Sequence, residues 1–423
     1  MKEEFLHFLW KHKLFLTKKI YTSQNEEIVV VKTGSHNKNS GPDFLNAHLK
    51  INGQAWVGNI EIHLKSSDWY LHYHEVNTTY DAVILHIVWE HDVEVYMKND
   101  KALPTLELKN YVNNKLLANY RNLFSKELRW IPCERSMDKV DTFLIQNWLE
   151  RLYFERLENK AVVIKGLLRE TNNDYEAVLF QLLAKNFGLK VNGVAFFNLA
   201  KSIDYTIIRK LRFDSLALSA LLFGQAGFLE EDYEEPYFFK LKKEYAYIKH
   251  KYNLKTLSGN QFSFFRMRPT NFPTVRIAQL IMLLHQHQNL FSQLMKYEKI
   301  VDFYKCLKVE VDTFWQKHYT FQTTSKTSLK RITESFIDLL LINTILPLRF
   351  VYFQETKQLD NETFVELIQQ INSEKNSILK KFNTINIKAK NALESQALLE
   401  LKNNYCNEKR CTECVIGTYL LRN

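Results

Sequence analysis

The spacing of apolar residues along the chain changes from a strand-like period to a helix-like one. Before that change, a short apolar stripe at the N-terminus predicts an amphipathic helix over residues 1–18. Between Glu26 and about Leu108, apolar and polar residues alternate, which is typical of strands that bury one face. From about Met137 onward, apolar residues recur every three or four positions, as in helices that pack on a core. The pattern therefore predicts a sheet module followed by a mainly helical body.

The strongest local signal is a hairpin. Two alternating runs, FLNAHLKI and AWVGNIEIHLK, are joined by Asn52-Gly53, a dipeptide that favours a two-residue turn between antiparallel strands. The run EEIVVVKTG precedes them, and DAVILHIVWEHD and TLELK follow after an irregular or helical piece. This order predicts an α+β fold in which a mixed sheet with flanking helices precedes the helical body.

We expect three parts in the chain. Residues 1–115 form the sheet module, and residues 116–400 form the helical body, as one unit or two. Residues 401–423 form a cysteine-bearing segment that packs on the helical body. The most apolar internal run, FIDLLLINTILPLRFVYF, contains Asp338 and Arg349, so it is interpreted as a buried core helix and not as a membrane span.

The charge balance and the N-terminus suggest the environment of the protein. A formal net charge of +10 permits nucleic acid or another polyanion as a partner without requiring one. The N-terminal stripe is not a signal peptide, because Lys11, His12 and Lys13 interrupt it. We therefore expect a cytoplasmic protein without a membrane partner. Its five cysteines are then thiols or metal ligands, and not disulfides.

Ionisable residues gather around the hairpin. Side chains two apart on a strand share a face, so Glu61, His63 and Lys65 point the same way, and the hairpin lets Asp43 approach that face. Carboxylates from adjacent strands suit Mg²⁺ or Mn²⁺, which can activate water and neutralise charge on a phosphate. A cation just beyond the glutamate can orient the water. In the alternative, purely structural arrangement, Asp43 caps a turn and Glu61 pairs with Lys65.

Pro42-Asp43 and Glu61-Ile62-His63, together with the order of elements, resemble the PD-(D/E)XK nuclease superfamily over the first quarter of the chain. The resemblance implies a metal-dependent phosphodiester hydrolase that acts on DNA or RNA, with Asp43 and Glu61 as metal ligands. It departs from the family pattern at His63, where the family has lysine, so His63 or Lys65 takes that role. The alternative is a non-catalytic nucleic-acid-binding or scaffold protein that retains a degenerate nuclease fold.

The same region allows a second arrangement of ligands. His63, His72, His74 and Asp68 are candidates for a zinc site in a hydrolase, which we rank below the carboxylate pair. In the nuclease interpretation, His72 and His74 support the site or face the substrate. His86, inside the longest apolar strand, is expected to be a core histidine.

Three cysteines lie close together near the C-terminus. Cys406, Cys411 and Cys414 have four and then two residues between them, a spacing that suits zinc or an iron–sulfur cluster. Lys409 and Arg410 are expected to lower the pKa of these thiols and to favour ligation. Buried, inert thiols are the alternative.

A closed metal site needs a fourth ligand. Cys133 is the first candidate, and Cys306 is less favoured because it lies in a helical run. Several nucleases of the resembling superfamily carry an iron–sulfur cluster built from one distant cysteine and a C-terminal trio. The resemblance therefore implies Cys133 together with the trio.

A loop rich in arginine and phenylalanine precedes the clearest helix. Arg266, Arg268 and Arg276 surround the start of that helix, where backbone N–H groups attract phosphate and arginine grips it through two nitrogens. The loop is thus a candidate for nucleic-acid binding. The alternative is a connection whose arginines cap helices or pair with glutamate.

The chain also resembles, over nearly its full length, a bacterial family of unknown function. The passages that carry this resemblance are GPDF…EIH, FGQAGFLEED, FRMRPTNFPTVRIAQL, LINTILPLRF and the terminal CxxxxCxxC. The family offers no settled activity, so the chemistry has to come from the residues.

Overall fold

The computed structural model describes residues 1–15, 19–125, 127–358 and 360–423. The chain forms two compact units, one of Met1–Trp148 with Leu401–Asn423 and one of Leu149–Glu400. The first boundary therefore lies at residue 148 and not at 115, and the C-terminal cysteine segment belongs to the first unit and not to the helical body. An α+β fold with an N-terminal mixed sheet and a largely helical remainder is confirmed.

The described part of the first unit contains a seven-stranded sheet. Its strands are β1 Ile20–Tyr21, β2 Glu27–Lys32, β3 Ser35–His36, β4 Phe44–Ile51, β5 Gln54–Lys65, β6 Val83–Glu90 and β7 Thr105–Glu107. They lie in the order β1-β2-β4-β5-β6-β7, with β3 paired to β4. Pairing is antiparallel from β1 to β5 and parallel from β5 to β7, so the sheet changes character at β5.

The described residues form these α-helices: α1 Glu3–Lys11, α2 Asp68–Leu71, α3 Asn114–Leu123, α4 Thr142–Glu170, α5 Tyr175–Phe187, α6 Leu189–Lys201, α7 Tyr205–Leu211, α8 Ser215–Gln225, α9 Pro236–Lys251, α10 Pro273–Gln286, α11 Leu290–Lys296, α12 Ile300–Leu307, α13 Thr313–Lys317, α14 Glu334–Leu340, α15 Leu346–Glu355, α16 Asn361–Gln369, α17 Ser377–Thr384, α18 Ala392–Glu400 and α19 Val415–Arg422. Two π-helical segments, Leu341–Ile345 and Leu401–Cys406, continue α14 and α18. The predicted N-terminal helix ends at Lys11, and residues 16–18 lie outside the described part of the chain.

The predicted hairpin forms between β4 and β5. Asn52 and Gly53 both have positive φ, 50° and 83°, as a tight turn between twisted strands requires. Near its other end β4 contains a bulge between Phe44 and Ala47, where Asn46 has φ 54°. Such a bulge turns a strand locally, and this one follows directly on Asp43.

The second half of β5 is buried on both faces. Ile60 and Ile62 are fully buried on one face, while Glu61 and His63 are buried on the other. Helices α1 and α2 both pack against β5. Helices therefore cover a glutamate and a histidine. The free-energy cost of burying these polar groups has to be offset by hydrogen bonds, an opposite charge or a bound ligand.

The second unit has a helical core built around an apolar segment. The continuous helical stretch Glu334–Glu355 is long and apolar enough to span a membrane, but 72% of its apolar window is buried inside the fold. That burial is the property of a core helix, as the charged residues within the run predict. Several helices of this unit begin at an aspartate cap: Asp174, Asp204 and Asp214 each accept a hydrogen bond from the first turn.

Candidate active site

Two carboxylates meet where β4 begins beside β5. The backbone N–H of Asp43 donates to Oε2 of Glu61 at 3.2 Å, and the N–H of Ile62 donates to Oδ2 of Asp43 at 3.0 Å. Gly41, with φ 101°, and the buried Pro42 turn the chain into this position. The two crossed hydrogen bonds fix both side chains, so the acidic pair expected from the sequence lies in one place.

The imidazole of His63 lies at the centre of a histidine cluster, which we define as His63, His72 and His74. Its Nε2 atom is 3.1 Å from Nδ1 of His72 and 3.6 Å from Oε1 of Glu61. Nε2 of His74 is 3.4 Å from the same carboxylate oxygen. One ligand atom from each of the three rings lies within 4.8 Å of the other two. Behind the cluster, Nδ1 of His63 is 2.9 Å from Nε2 of the fully buried His86.

A strained residue brings two of these histidines to the same side. Tyr73 has φ 57° and ψ 35°, a left-handed conformation that is uncommon for a bulky residue. Its side chain is 70% exposed, so packing of its own ring does not explain the strain. The turn reverses the chain between His72 and His74, and the ring of His74 stacks on Tyr80 at 3.7 Å. Strain of this kind recurs at functional sites.

Helix α1 adds two residues that the sequence reasoning missed. Nε2 of His7 lies 3.3 Å from Oδ2 of Asp43. Glu3, one turn earlier on the same face, has its pKa raised to about 7, first by burial and then by the charge of Asp43. A signal existed in the sequence, since Glu3 and His7 are polar residues spaced four apart beside an apolar stripe.

Burial controls the protonation of the centre. Burial raises the pKa of Glu61 to about 9 together with the charge of Asp43. It also lowers the pKa of His63 to about 3, assisted by the two neighbouring histidines. Glu61 is thus protonated and His63 neutral near neutral pH, and their contact is not an ion pair. A bound cation would reverse the preference at Glu61, because it favours the carboxylate.

Lys65 and Asp68 lie outside this centre. Lys65 is the last residue of β5, and its side chain is 54% exposed. Its ammonium nitrogen lies 4.0 Å from Oδ2 of Asp92. Asp68 accepts a hydrogen bond from the backbone of Lys65 at 2.9 Å and so closes the turn into α2. The water-orienting role considered for Lys65, and the ligand role considered for Asp68, have no support in these contacts.

The four cysteines proposed as ligands lie near one another. The negative charges of the Cys133 and Cys414 thiolates raise the pKa of both Cys406 and Cys411. The charge of Cys414 likewise raises the pKa of Cys133. Burial is the largest cause, and it raises the pKa of Cys133 to about 12. The expected lowering of the thiol pKa values by basic neighbours is therefore wrong, because burial outweighs it. The fifth cysteine, Cys306, is in the second unit, beside His287.

The arginines of the loop before α10 divide into two kinds. The guanidinium of Arg276 is buried and donates to Oε1 of Gln279 at 2.8 Å and to Oδ1 of Asn271 at 2.7 Å. Arg266 and Arg268 are exposed. The expectation that Arg276 grips a phosphate is therefore corrected, because its terminal nitrogens are occupied inside the fold. The other two remain available to a ligand.

Comparisons with known proteins complete the description. No curated protein and no solved structure matches the chain. A family model does match, over residues 3–377, and its description is protein of unknown function (DUF2851). That match covers most of the chain, and it agrees with the resemblance to a family of unknown function noted from the sequence. The chain belongs to the DUF2851 family.

Proposed function

We propose that the first unit is a metal-dependent phosphodiester hydrolase that acts on DNA or RNA. The observation that carries the proposal is the convergence of two carboxylates, Asp43 and Glu61, with the histidine cluster in one largely buried centre. His72 is exposed, so the centre is open to solvent on that side. Buried ionisable groups with strongly shifted pKa values, gathered at one point, are typical of catalytic sites.

The donor atoms fit a divalent transition metal. Nδ1 of His74 has no hydrogen-bond partner among the described residues, and Nε2 of the same buried ring has the 3.4 Å contact with Glu61. His63, held from behind by His86, directs its Nε2 atom into the cluster, as metal-bound imidazoles do. Imidazoles favour zinc, iron and similar ions, while carboxylates favour magnesium and manganese. Between the expected Mg²⁺ and Mn²⁺, the mixed set supports Mn²⁺.

The topology is compatible with the proposed nuclease resemblance. Helix α1, the antiparallel strands β2, β4 and β5, helix α2 and the parallel strand β6 follow one another in the order expected from the sequence. The acidic pair lies on β5 and just before β4, beside the point where the pairing changes direction. The position normally occupied by lysine carries His63, whose lowered pKa suits a ligand better than a cation.

His7 is the residue that can supply the positive charge that lysine provides in the nuclease motif. Burial lowers its pKa, but the hydrogen bond to Asp43 and the charge of that carboxylate outweigh burial and raise it. A bound metal would lower the pKa of a water molecule and neutralise charge on the phosphate. His7, 3.3 Å from Asp43, would in its protonated form give a proton to the leaving oxygen as the P–O bond breaks.

Cleavage assays with defined metals test the proposal. Metal-free protein is incubated with single-stranded, duplex and branched DNA and with RNA, in Mn²⁺, Mg²⁺ or Zn²⁺. We expect cleavage in Mn²⁺ that Asp43→Asn abolishes and Glu27→Gln preserves, since Glu27 is an exposed carboxylate on β2 paired with Lys19. Metal binding without cleavage of any substrate would favour the non-catalytic alternative. Cleavage that survives Asp43→Asn would rule out this centre.

A further inference from the structure

The four cysteines of the first unit come from two separate segments of the chain, one with Cys133 and one with the other three. Cys133 directly precedes a 3₁₀ helix at Glu134–Lys139, and Cys406 ends the π-helical segment. Cys411 lies in the turn that follows, and Cys414 caps the start of α19. Pro132, directly before Cys133, lines one cavity together with Cys406, so the first segment lies beside the C-terminal cysteines. Since they are free thiols, no disulfide accounts for the gathering.

The backbone around the C-terminal trio is arranged as it is around metal-bound thiolates. The N–H groups of Ile416 and Gly417 donate to the sulfur of Cys414. A side chain at Gly417 would meet the carbonyl oxygen of Cys411 at 2.1 Å, so the chain closes too tightly there for any residue but glycine. Hydrogen bonds from backbone to sulfur stabilise a thiolate and are a usual feature of iron–sulfur sites.

The spacing of the sulfurs distinguishes two kinds of metal. Tetrahedral zinc, with Zn–S bonds of about 2.3 Å, needs its sulfurs roughly 3.8 Å apart. In the described part of the chain, the three ligand atoms that all lie within 4.8 Å of one another belong to the histidine cluster, and no three cysteine sulfurs meet that limit. A cluster accepts wider spacing, because each thiolate binds a different iron atom.

The surroundings suit a buried, negatively charged group. Cys133, Cys411 and Cys414 are each less than a tenth exposed, and Cys406 is half-buried. Lys402 lowers the pKa of Cys406 and Lys409 that of Cys411, although burial dominates in both. These two cations would offset part of the charge of four thiolates. A cavity of about 330 Å³ lined by Cys406, Lys402 and Lys409 leads to the group from the surface.

We propose that Cys133, Cys406, Cys411 and Cys414 ligate one [4Fe–4S] cluster in the first unit. Each thiol loses a proton as its sulfur binds one iron. The cluster joins the segment before the helical unit in the chain to the segment after it, so its role is to hold the fold of the first unit. The proposal does not depend on the hydrolase activity, because its residues are separate from Asp43, Glu61 and the histidine cluster.

Metal and sulfide analysis of anaerobically purified protein is the first test. We expect about four iron atoms and about four acid-labile sulfides per chain, with a broad absorption band near 400 nm that bleaches on reduction. One zinc per chain without iron would overturn the cluster while keeping a metal site. A folded protein with neither metal would overturn the site itself.

Single substitutions show whether these four residues are the ligands. Cys133→Ser and Cys414→Ser should each lower the iron content by more than half, while Cys306→Ser, in the second unit, should retain it. Full iron content in Cys133→Ser would remove Cys133 from the ligand set. If the variants fail to fold, removing the cluster from wild-type protein with an oxidant and a chelator gives the same information. We then expect new proteolytic cleavage near residues 130–135 and 405–415, and an unchanged digest would contradict the holding role.

Discussion

Buried polar groups are treated differently in the two units. In the helical unit, Arg276, Lys330 and Arg349 are buried, and each donates two or more hydrogen bonds from its terminal nitrogens to carbonyl or side-chain oxygens. Of the buried nitrogens of these three side chains, only Nε of Arg276 and Nε of Arg349 lack a partner among the described residues. In the sheet unit, Nδ1 of His74 and Nδ1 of His86 are buried and have no hydrogen-bond partner among the described residues. Burial alone therefore does not distinguish structure from chemistry.

Whether a buried polar group has partners within the chain indicates whether it serves the fold or a ligand. A buried charge with its own partners stabilises one arrangement of the fold, and its loss leaves those partners unsatisfied. A buried group without partners costs free energy unless something absent from the chain supplies the bond. The histidine cluster combines this second property with the strained Tyr73.

The first variant removes a central group of the sheet unit. Glu61→Gln keeps the shape of the side chain but removes a negative ligand, so Mn²⁺-dependent cleavage should fall by more than about 100-fold. Lys65→Gln is the matched control, since Lys65 reaches towards Asp92, and it should change the rate by less than about threefold. Initial rates on the best substrate measure both. The reverse ranking would show that the strand-end lysine, and not the buried carboxylate, serves the reaction.

The second variant removes a buried group of the helical unit whose two terminal nitrogens both donate hydrogen bonds. Arg276→Ala leaves Asn271 and Gln279 unsatisfied, so the free energy of unfolding should fall by about 2–4 kcal/mol. Denaturant unfolding gives the value, and cleavage per folded molecule should not change. Arg268→Ala, at an exposed position of the same loop, should leave stability unaltered and reduce the salt dependence of nucleic-acid binding by about one charge. An unaltered salt slope would make the loop a purely structural connection.

The third variant tests a residue that acts through another. Nε2 of His86 forms a hydrogen bond with Nδ1 of His63, the ring nitrogen that points away from the rest of the histidine cluster. His86→Phe should therefore weaken Mn²⁺ binding by about 10–100-fold while preserving most of the packing. Calorimetric titration of metal-free protein provides the measurement, and a change in rate at saturating Mn²⁺ should be small. Unchanged affinity would mean that His63 needs no partner to hold its orientation.

The last prediction concerns pH in the helical unit. Burial, assisted by the charge of Arg156, lowers the pKa of Lys160 from 10.5 to about 7, while Glu374 and Glu400 oppose the change. Since the folded state binds the proton less tightly than the unfolded state, stability should rise as pH increases from 7 to 10. Lys160→Met should reduce that rise, measured by unfolding at several pH values. An equal rise in the variant would contradict a lowered pKa in Lys160.

Local patterns predicted some of these features and missed others for physical reasons. The hairpin and its turn follow from Asn52-Gly53, because that dipeptide controls geometry over a few residues. The approach of Asp43 to Glu61 follows from the same hairpin. The contribution of His7 does not, because the packing of α1 on β5 depends on contacts far apart in the sequence. The burial of Arg276 could have been predicted locally, because Gln279 lies one helical turn away and can accept a hydrogen bond from the guanidinium.

The cysteine site has a consequence for the synthesis of the protein. Cys133 leaves the ribosome roughly 270 residues before Cys406, which corresponds to about 15–55 s of translation. Throughout that interval the helical unit is being made, while the first unit lacks three of its four thiols. With the ligands proposed above, a chain that stops early could not acquire the cluster. Iron content would therefore report whether synthesis reached the C-terminal segment and whether that segment returned to the unit made first.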